Sequence, residues 1–247
     1  MGTQKKITIL GIDFIDARAL EVVDQLKSGG FLVVPSAPGL ITIQRDREYY
    51  QSLMEADLVI PDSGYMVLLW NLFHKEKISR ISGLEFLIAF FADQDVKATS
   101  NFLLVNPRPQ EAEANLTYLR SIGFTLNNTA SYLAPLYNSA RVIDEVLLAL
   151  IEAQKPKYVI INVGGGIQEK LGAYLKRNLT YKPGIICTGA AIAFLTGEQA
   201  TIPLWADKLF LGWLFRCIQN PKLYVPRYFG ALKLVTLMLQ YGKNAPV

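Results

Sequence analysis

The chain has 247 residues, 51% of them hydrophobic and 19% charged, and a formal net charge of +4. That length suits one α/β domain, or one domain with a small appendage, and is enough to bury a substantial core. No stretch reaches the roughly 20 apolar residues a membrane-spanning helix requires, and a single histidine, His74, rules out a histidine-based metal centre.

From the N-terminus, Lys5 and Lys6 lead at once into an apolar, strand-like run at residues 7–12. No apolar segment followed by a small-residue cleavage site precedes it, so the expectation is a cytoplasmic protein. Further strand-like runs fall at residues 31–35, 58–61, 102–106, 158–163 and 184–187. Helix-compatible patterns lie between them at residues 17–28, 44–56, 65–73, 84–92, 109–122, 139–154 and 167–178. Strands that are apolar throughout, alternating with helices, predict an α/β fold. Its core is a Rossmann-like, mainly parallel sheet covered by helices on both faces.

The pattern changes near residue 201, which divides the chain into a core (1–200) and a C-terminal appendage (201–247). Six basic residues against Asp207 alone give the appendage +5, leaving −1 for the rest. They are interleaved with aromatics such as Trp205, Trp213, Tyr224 and Phe229. Such a mixture suits an anionic membrane surface, a diphosphate-bearing lipid or nucleic acid, and equally a solvated helix with aromatics docked inward. Within the appendage one helix is expected from Trp205 to Ile218, with breaks at Pro221 and Pro226. A last, largely apolar helix at residues 229–241 should then pack on the core, join a protein interface or lie among lipid headgroups.

Ligands of open parallel sheets bind beyond the carboxyl ends of the strands, so the strand-end residues are the candidates. The first end, Val34-Pro35-Ser36, is a rigid turn in which Ser36 offers a hydroxyl. At the second, Asp62 stands before Ser63-Gly64 and a helix. It can cap that helix or act as a general base toward a hydroxyl nucleophile. The third carries Gly164, Gly165 and Gly166 ahead of a helix containing Gln168. Three glycines there allow close approach of a phosphate, although the spacing is neither a dinucleotide fingerprint nor a P-loop. The fourth, Cys187-Thr188-Gly189, reads as small residues for tight packing. Arg80 can return to the cleft and neutralise a diphosphate, or pair with a surface carboxylate. Cys187 and Cys217 lack metal-ligand spacing and a disulfide framework.

Four segments together resemble the WecG/TagA/CpsF family, glycosyltransferase family 26, over roughly residues 9–231. Ala56-Asp57-Leu58 through Asp62-Ser63-Gly64 resembles A-D-L-x-x-x-D-G, and Arg80-Ile81-Ser82-Gly83-Leu84-Glu85 resembles R-V-x-G-x-D. Val163-Gly164 through Gln168-Glu169-Lys170 resembles V-G-x-x-x-Q-E-K. The tail supplies Trp213, Arg216, Pro221 and the pair Arg227-Tyr228 in the family's order. The resemblance implies a metal-free, cofactor-free transferase that moves a sugar with inversion from a UDP-sugar to a polyprenyl-diphosphate-linked sugar. It would act from the cytoplasm at the inner face of the membrane, in cell-surface polysaccharide synthesis, without nucleic acid and with homo-oligomerisation left open. It implies Asp62 as base and Ser36, Arg80, the three glycines and Gln168 on the donor side. Arg216 and Arg227 would lie near the acceptor diphosphate. Ser36 and Ala193 stand where the family usually has Asn and Asp, which also motivates the alternative of a non-catalytic relative that binds a nucleotide sugar or a membrane partner. A dinucleotide-dependent oxidoreductase is a more distant reading, because the acidic ribose-binding residue is missing.

Overall fold

A computed structural model describes residues 5–189, 191–198 and 212–246, without the side chains of Arg216, Gln219, Leu223, Tyr224 and Arg227. The described residues form one eight-stranded sheet, in the order β1-β2-β4-β3-β8-β7-β5-β6. In chain order the strands are β1 (Lys6–Ile9), β2 (Ile12–Ile15), β3 (Gly30–Val33), β4 (Leu58–Val59), β5 (Phe102–Asn106), β6 (Ser131–Leu133), β7 (Tyr158–Ile161) and β8 (Gly184–Cys187). Every pairing is parallel except that of β1 with β2.

That exception corrects the expectation of one strand over residues 7–12. Leu10 and Gly11 both have positive φ, 53° and 77°, and turn the run back on itself as a two-residue hairpin. Leu10 accepts the strain of a left-handed conformation because its side chain is fully buried and its amide donates to the Gly242 carbonyl at 2.8 Å. The edge strand β6 was not expected either: it has three residues, none fully buried, and no apolar run.

Side chains alternate across the parallel strands into two cores. Phe31, Val33, Leu103, Val105, Val159 and Ile161 face one side. There they meet α3 (Arg47–Met54), α4 (Gly64–Phe73), α8 (Glu145–Gln154) and α9 (Ile167–Asn178). Leu32, Leu104, Tyr158, Ile160 and Ile186 face the other. Covering them are α1 (Ala19–Leu26), α5 (Gly83–Ala92), α6 (Gln94–Thr99) and α7 (Pro109–Ser121). Burying both faces is what requires such strands to be apolar throughout. The expected helix at 139–154 begins later, at Glu145, because Asp144 is its N-cap and accepts from the Leu147 amide at 2.8 Å. Two short helices outside the expected patterns, α2 (Ala37–Leu40) and α10 (Ala191–Thr196), follow the ends of β3 and β8.

Toward the C-terminus the described chain forms α11 (Gly212–Gln219), α12 (Pro221–Ala231) and α13 (Lys233–Tyr241). The expected helix start at Trp205 lies outside the described residues. Pro221 opens α12 as its first residue, where no amide is needed. The second expected break, at Pro226, is not observed, since α12 runs through it. One missing helical hydrogen bond is tolerated there in a helix braced on both α11 and α2. The final helix packs on the core: Leu234, Leu237 and Met238 join the α3/α4/α9 side, while Leu239 points outward. Lys243, one of the appendage's cations, forms an ion pair with Glu76 at 2.9 Å. Among the described residues no helix is long and apolar enough to cross a membrane.

Candidate active site

The carboxyl ends of three adjacent strands, β4, β3 and β8, open into a cavity of about 730 Å3. They bring Asp62, Ser36 and Thr188 to one wall, and Arg80, Ser82 and Gly83 join them from the α4–α5 connection. The opposite wall is apolar and comes from α11 and α12, including Trp213, Leu214, Val225 and Phe229. The two helices are held together in part by an edge contact between Trp213 and Tyr228, with ring centroids 6.1 Å apart.

The local sequence explains how the polar wall is set. Ser63 and Ser82 are the N-caps of α4 and α5, accepting from the amides of Met66 (3.2 Å) and Glu85 (3.0 Å). Ser36 caps α2 in the same way through the Gly39 amide, 3.3 Å away. Asp62 is therefore not the cap of the helix that follows it. Its Oδ1 instead accepts from the amide of Gly83, the first residue of α5, at 2.9 Å. Oδ2 accepts no hydrogen bond among the described residues. Arg80 lies alongside: its Nε donates to the Asp62 carbonyl at 2.7 Å, and its guanidinium is 3.9 Å from Asp62 Oδ1. The Asp62 side chain is 28% exposed, so the carboxylate is reachable from the cavity.

Two ten-residue helices thus point their N-termini at the same space. The first amides of a helix have no intrahelical acceptor and carry part of a positive dipole. Gly64, Tyr65 and Leu84, all in the first turns of these helices, line the cavity. With the Arg80 guanidinium they make a positively polarised pocket around one carboxylate. That arrangement can bind a phosphate group and deprotonate a hydroxyl beside it.

The third strand end is arranged differently. Gly164 and Gly165 are exposed, Gly166 has φ of +90°, and a Cβ on any of the three would meet nothing within 4 Å. The loop borders open space, yet none of the three lines the cavity. Several of its amides are engaged: Gly166 donates to Glu169 Oε2 at 2.6 Å, and Ile167 and Gln168 both donate to the Gly164 carbonyl. Gln168 is buried, not projecting into the cleft. Its Oε1 accepts from the Gly189 amide at 2.8 Å, and its Nε2 donates to Glu169 Oε1 at 2.9 Å. Lys170 is buried as well and reaches Asp46 Oδ2 (2.8 Å) and the Ser139 carbonyl (2.6 Å). Gln168, Glu169 and Lys170 therefore tie together the glycine loop, the β8 turn and the start of α3. Burial pushes the Glu169 carboxyl above its usual range, against the hydrogen bonds from Gln168 and Gly166.

Asp57, from the same segment as Asp62, is structural. Its Oδ2 accepts from the Phe31 amide at 2.8 Å and its Oδ1 pairs with Lys176 at 2.9 Å. Sequence reading did not single out Ser63 or Ser82, although the Ser82-to-Glu85 spacing is a capping signature and was legible. It marked Thr188 only as part of the fourth strand end, read there as small residues for packing, whereas the structure places it in the cavity wall. The side chains of Arg216 and Arg227 lie outside the described residues. Cys187 and Cys217 are free thiols, the latter in the cavity wall. Among the described residues no cluster of side chains fits a metal ion.

The chain is similar to known proteins over most of its length. A N-acetylglucosaminyldiphosphoundecaprenol N-acetyl-beta-D-mannosaminyltransferase of Bacillus subtilis (strain 168) is 24% identical over 227 residues, covering 87% of this chain and 83% of that protein. A protein of the same name from Staphylococcus aureus (strain MRSA252) is 21% identical over 243 residues, 95% of this chain and 91% of its own length. The model of the glycosyl transferase WecG/TagA/CpsF family matches residues 7–246. With nearly its whole length inside that match, the chain belongs to the WecG/TagA/CpsF family and is a glycosyltransferase.

Proposed function

We propose that this enzyme transfers a sugar from a UDP-sugar to an N-acetylglucosamine carried on a polyprenyl diphosphate, with inversion, in the synthesis of a cell-surface polysaccharide. The observation that carries the reading is the Asp62 carboxylate, set between Arg80 and the N-terminus of α5 in a cavity of about 730 Å3. A pocket of that size holds a ligand of nucleotide-sugar dimensions. The acceptor follows from the relatives' names, which specify a diphosphoundecaprenol-linked N-acetylglucosamine.

In this reading the acceptor hydroxyl gives its proton to Asp62 as its oxygen attacks the anomeric carbon. The bond from that carbon to the β-phosphate oxygen breaks on the opposite face, and UDP leaves. A single displacement inverts the anomeric centre. Charge developing on the leaving diphosphate is met by Arg80 and the first amides of α4 and α5. Ser36 contributes a hydroxyl on the donor side, while Gly164, Gly165 and Gly166 flank the site as an extension for the donor. Gln168 acts as a positioning residue through Gly189. Arg216 and Arg227 are assigned to the acceptor diphosphate, and no step of this scheme calls for a metal or cofactor.

α11 and α12 carry exposed apolar side chains, Ile218 at 71% away from the cavity lining and Phe229 at 75% in the cavity wall. Placed beside the cavity mouth, they support docking of this face on the inner leaflet, where the lipid-linked acceptor is presented. Titration calorimetry with UDP and with NAD tests the donor class. The reading expects UDP to bind and NAD not to; the reverse result would overturn it.

A further inference from the structure

Thr188 directly follows β8 and forms part of the cavity wall, yet none of the roles assigned above falls to it. The three serines of that wall are all occupied, each hydroxyl accepting from the first turn of a helix. Thr188 differs. Its residue is only 5% exposed, and its Oγ1 is buried with no hydrogen-bond partner among the described residues. Among the described residues it is the one cavity-wall side chain in that condition.

A buried hydroxyl without a partner carries a desolvation penalty, so its retention calls for a partner that arrives from outside. The position narrows what that partner is. The Thr188 carbonyl lies 3.6 Å from where a Cβ on Gly83 would stand, and the Gly83 amide holds Asp62 Oδ1 at 2.9 Å. Thr188 is therefore one residue removed from the carboxylate proposed as base. The group next to that base during reaction is the transferred sugar, because the attacked anomeric carbon must lie beside the hydroxyl being deprotonated.

We propose that Thr188 is a specificity-determining residue whose hydroxyl hydrogen-bonds a polar substituent of the transferred sugar. The proposal rests on the nucleotide-sugar reading above, and the experiment separates the two. Wild type, Thr188→Val and Thr188→Ser are titrated with UDP and with three donors: UDP-N-acetylmannosamine, UDP-N-acetylglucosamine and UDP-glucose. Valine keeps the shape and removes the hydroxyl; serine keeps the hydroxyl. The expected result is that the best donor binds wild type and Thr188→Ser alike and Thr188→Val about tenfold more weakly, the loss of one hydrogen bond to a buried group. UDP alone should bind all three equally.

Equal donor affinity in wild type and Thr188→Val overturns the proposal, and so does an equal loss for UDP, which would place the hydroxyl on the diphosphate. If no donor binds wild type more tightly than UDP, the sugar is not held and the proposal also falls. Failure of UDP itself to bind wild type rejects the nucleotide-sugar reading first. Thermal melting of the unliganded proteins gives an independent check. Thr188→Val should melt at or above wild type, since an orphaned polar atom is removed. A fall of several degrees would mean that the hydroxyl has a partner inside the protein.

Discussion

Replacing Asp62 by asparagine removes one negative charge while keeping an acceptor for the Gly83 amide. The oxygen that accepts at 2.9 Å has an equivalent in the amide side chain, so the start of α5 stays tethered. What is lost structurally is the attraction to the Arg80 guanidinium, 3.9 Å away in a partly exposed pair. Such pairs contribute about 0.2–1 kcal/mol. The catalytic loss expected is far larger. A positioned general base contributes about 10²–10⁴-fold, which corresponds to roughly 2.7–5.4 kcal/mol of barrier. Asp62→Asn should therefore lower kcat by two to four orders of magnitude and leave the melting temperature within a few degrees. Asp62→Ala should lose both activity and stability, because the Gly83 amide then has no acceptor. Initial rates of sugar transfer, followed by chromatography of the lipid-linked product, are read beside thermal melts of the same preparations. A wild-type rate in Asp62→Asn would refute the assignment of the base. Loss of activity that tracks a collapse in stability would refute the tethering argument.

Three other outcomes follow from the packing and charges. In Gly172→Ala the new Cβ would stand 2.4 Å from Phe31 Cε2 and 3.1 Å from Cys187 Sγ, both fully buried. Overpacking of this kind costs about 1–3 kcal/mol, so a thermal melt should show a drop of several degrees. Burial raises the pKa of Asp57, but Lys176 and the Phe31 amide outweigh it and hold the carboxyl below its usual value. A depressed carboxylate stabilises the fold above its unfolded pKa near 4 and ceases to do so as pH falls through its folded value. Asp57→Asn should accordingly flatten the acid limb of stability against pH between neutral pH and pH 3, as followed by circular dichroism. Finally, Ile218→Ser with Phe229→Ser should weaken binding to vesicles containing anionic lipid in a sedimentation assay. Both side chains are exposed, so the fold should be unchanged.

The parallel strands were legible because strands buried on both faces must be apolar along their whole length, and five such runs fall where β3, β4, β5, β7 and β8 stand. The hairpin was not, since Leu10-Gly11 is not one of the asparagine–glycine or aspartate–glycine pairs that announce such a turn, and Gly242 and Lys243 from the far end of the chain help to hold it. Edge strand β6 is too short and too exposed to leave an apolar run. Of the site, Asp62 lies at the cavity as the strand-end rule expects, and Arg80, for which a return to the cleft and a surface ion pair were both open, lines the same cavity. Gln168 was expected in the cleft, but the geometry of the β8 turn draws it into the interior, where Gly189 needs an acceptor. Position along a strand fixes which end a residue occupies; it does not fix which neighbouring amide captures its side chain. The same limit applies to Thr188, whose strand end was read as packing alone: the sequence does not show that its hydroxyl stays unpartnered among the described residues. The apolar last helix had three open readings, and only packing decides among them: Leu234, Leu237 and Met238 enter the core.

The central claim is sugar transfer to a lipid-linked acceptor, and mass spectrometry of the acceptor tests it most directly. Purified protein is incubated with N-acetylglucosamine on a short polyprenyl diphosphate and, in turn, with each of a panel of UDP-sugars. The account predicts that at least one donor adds a single sugar residue to the acceptor, with release of UDP and an inverted anomeric linkage, and that Asp62→Asn does not. Folded protein that binds UDP-sugars but adds no mass to the acceptor with any donor would contradict it, and would identify the chain as a binding relative of the family.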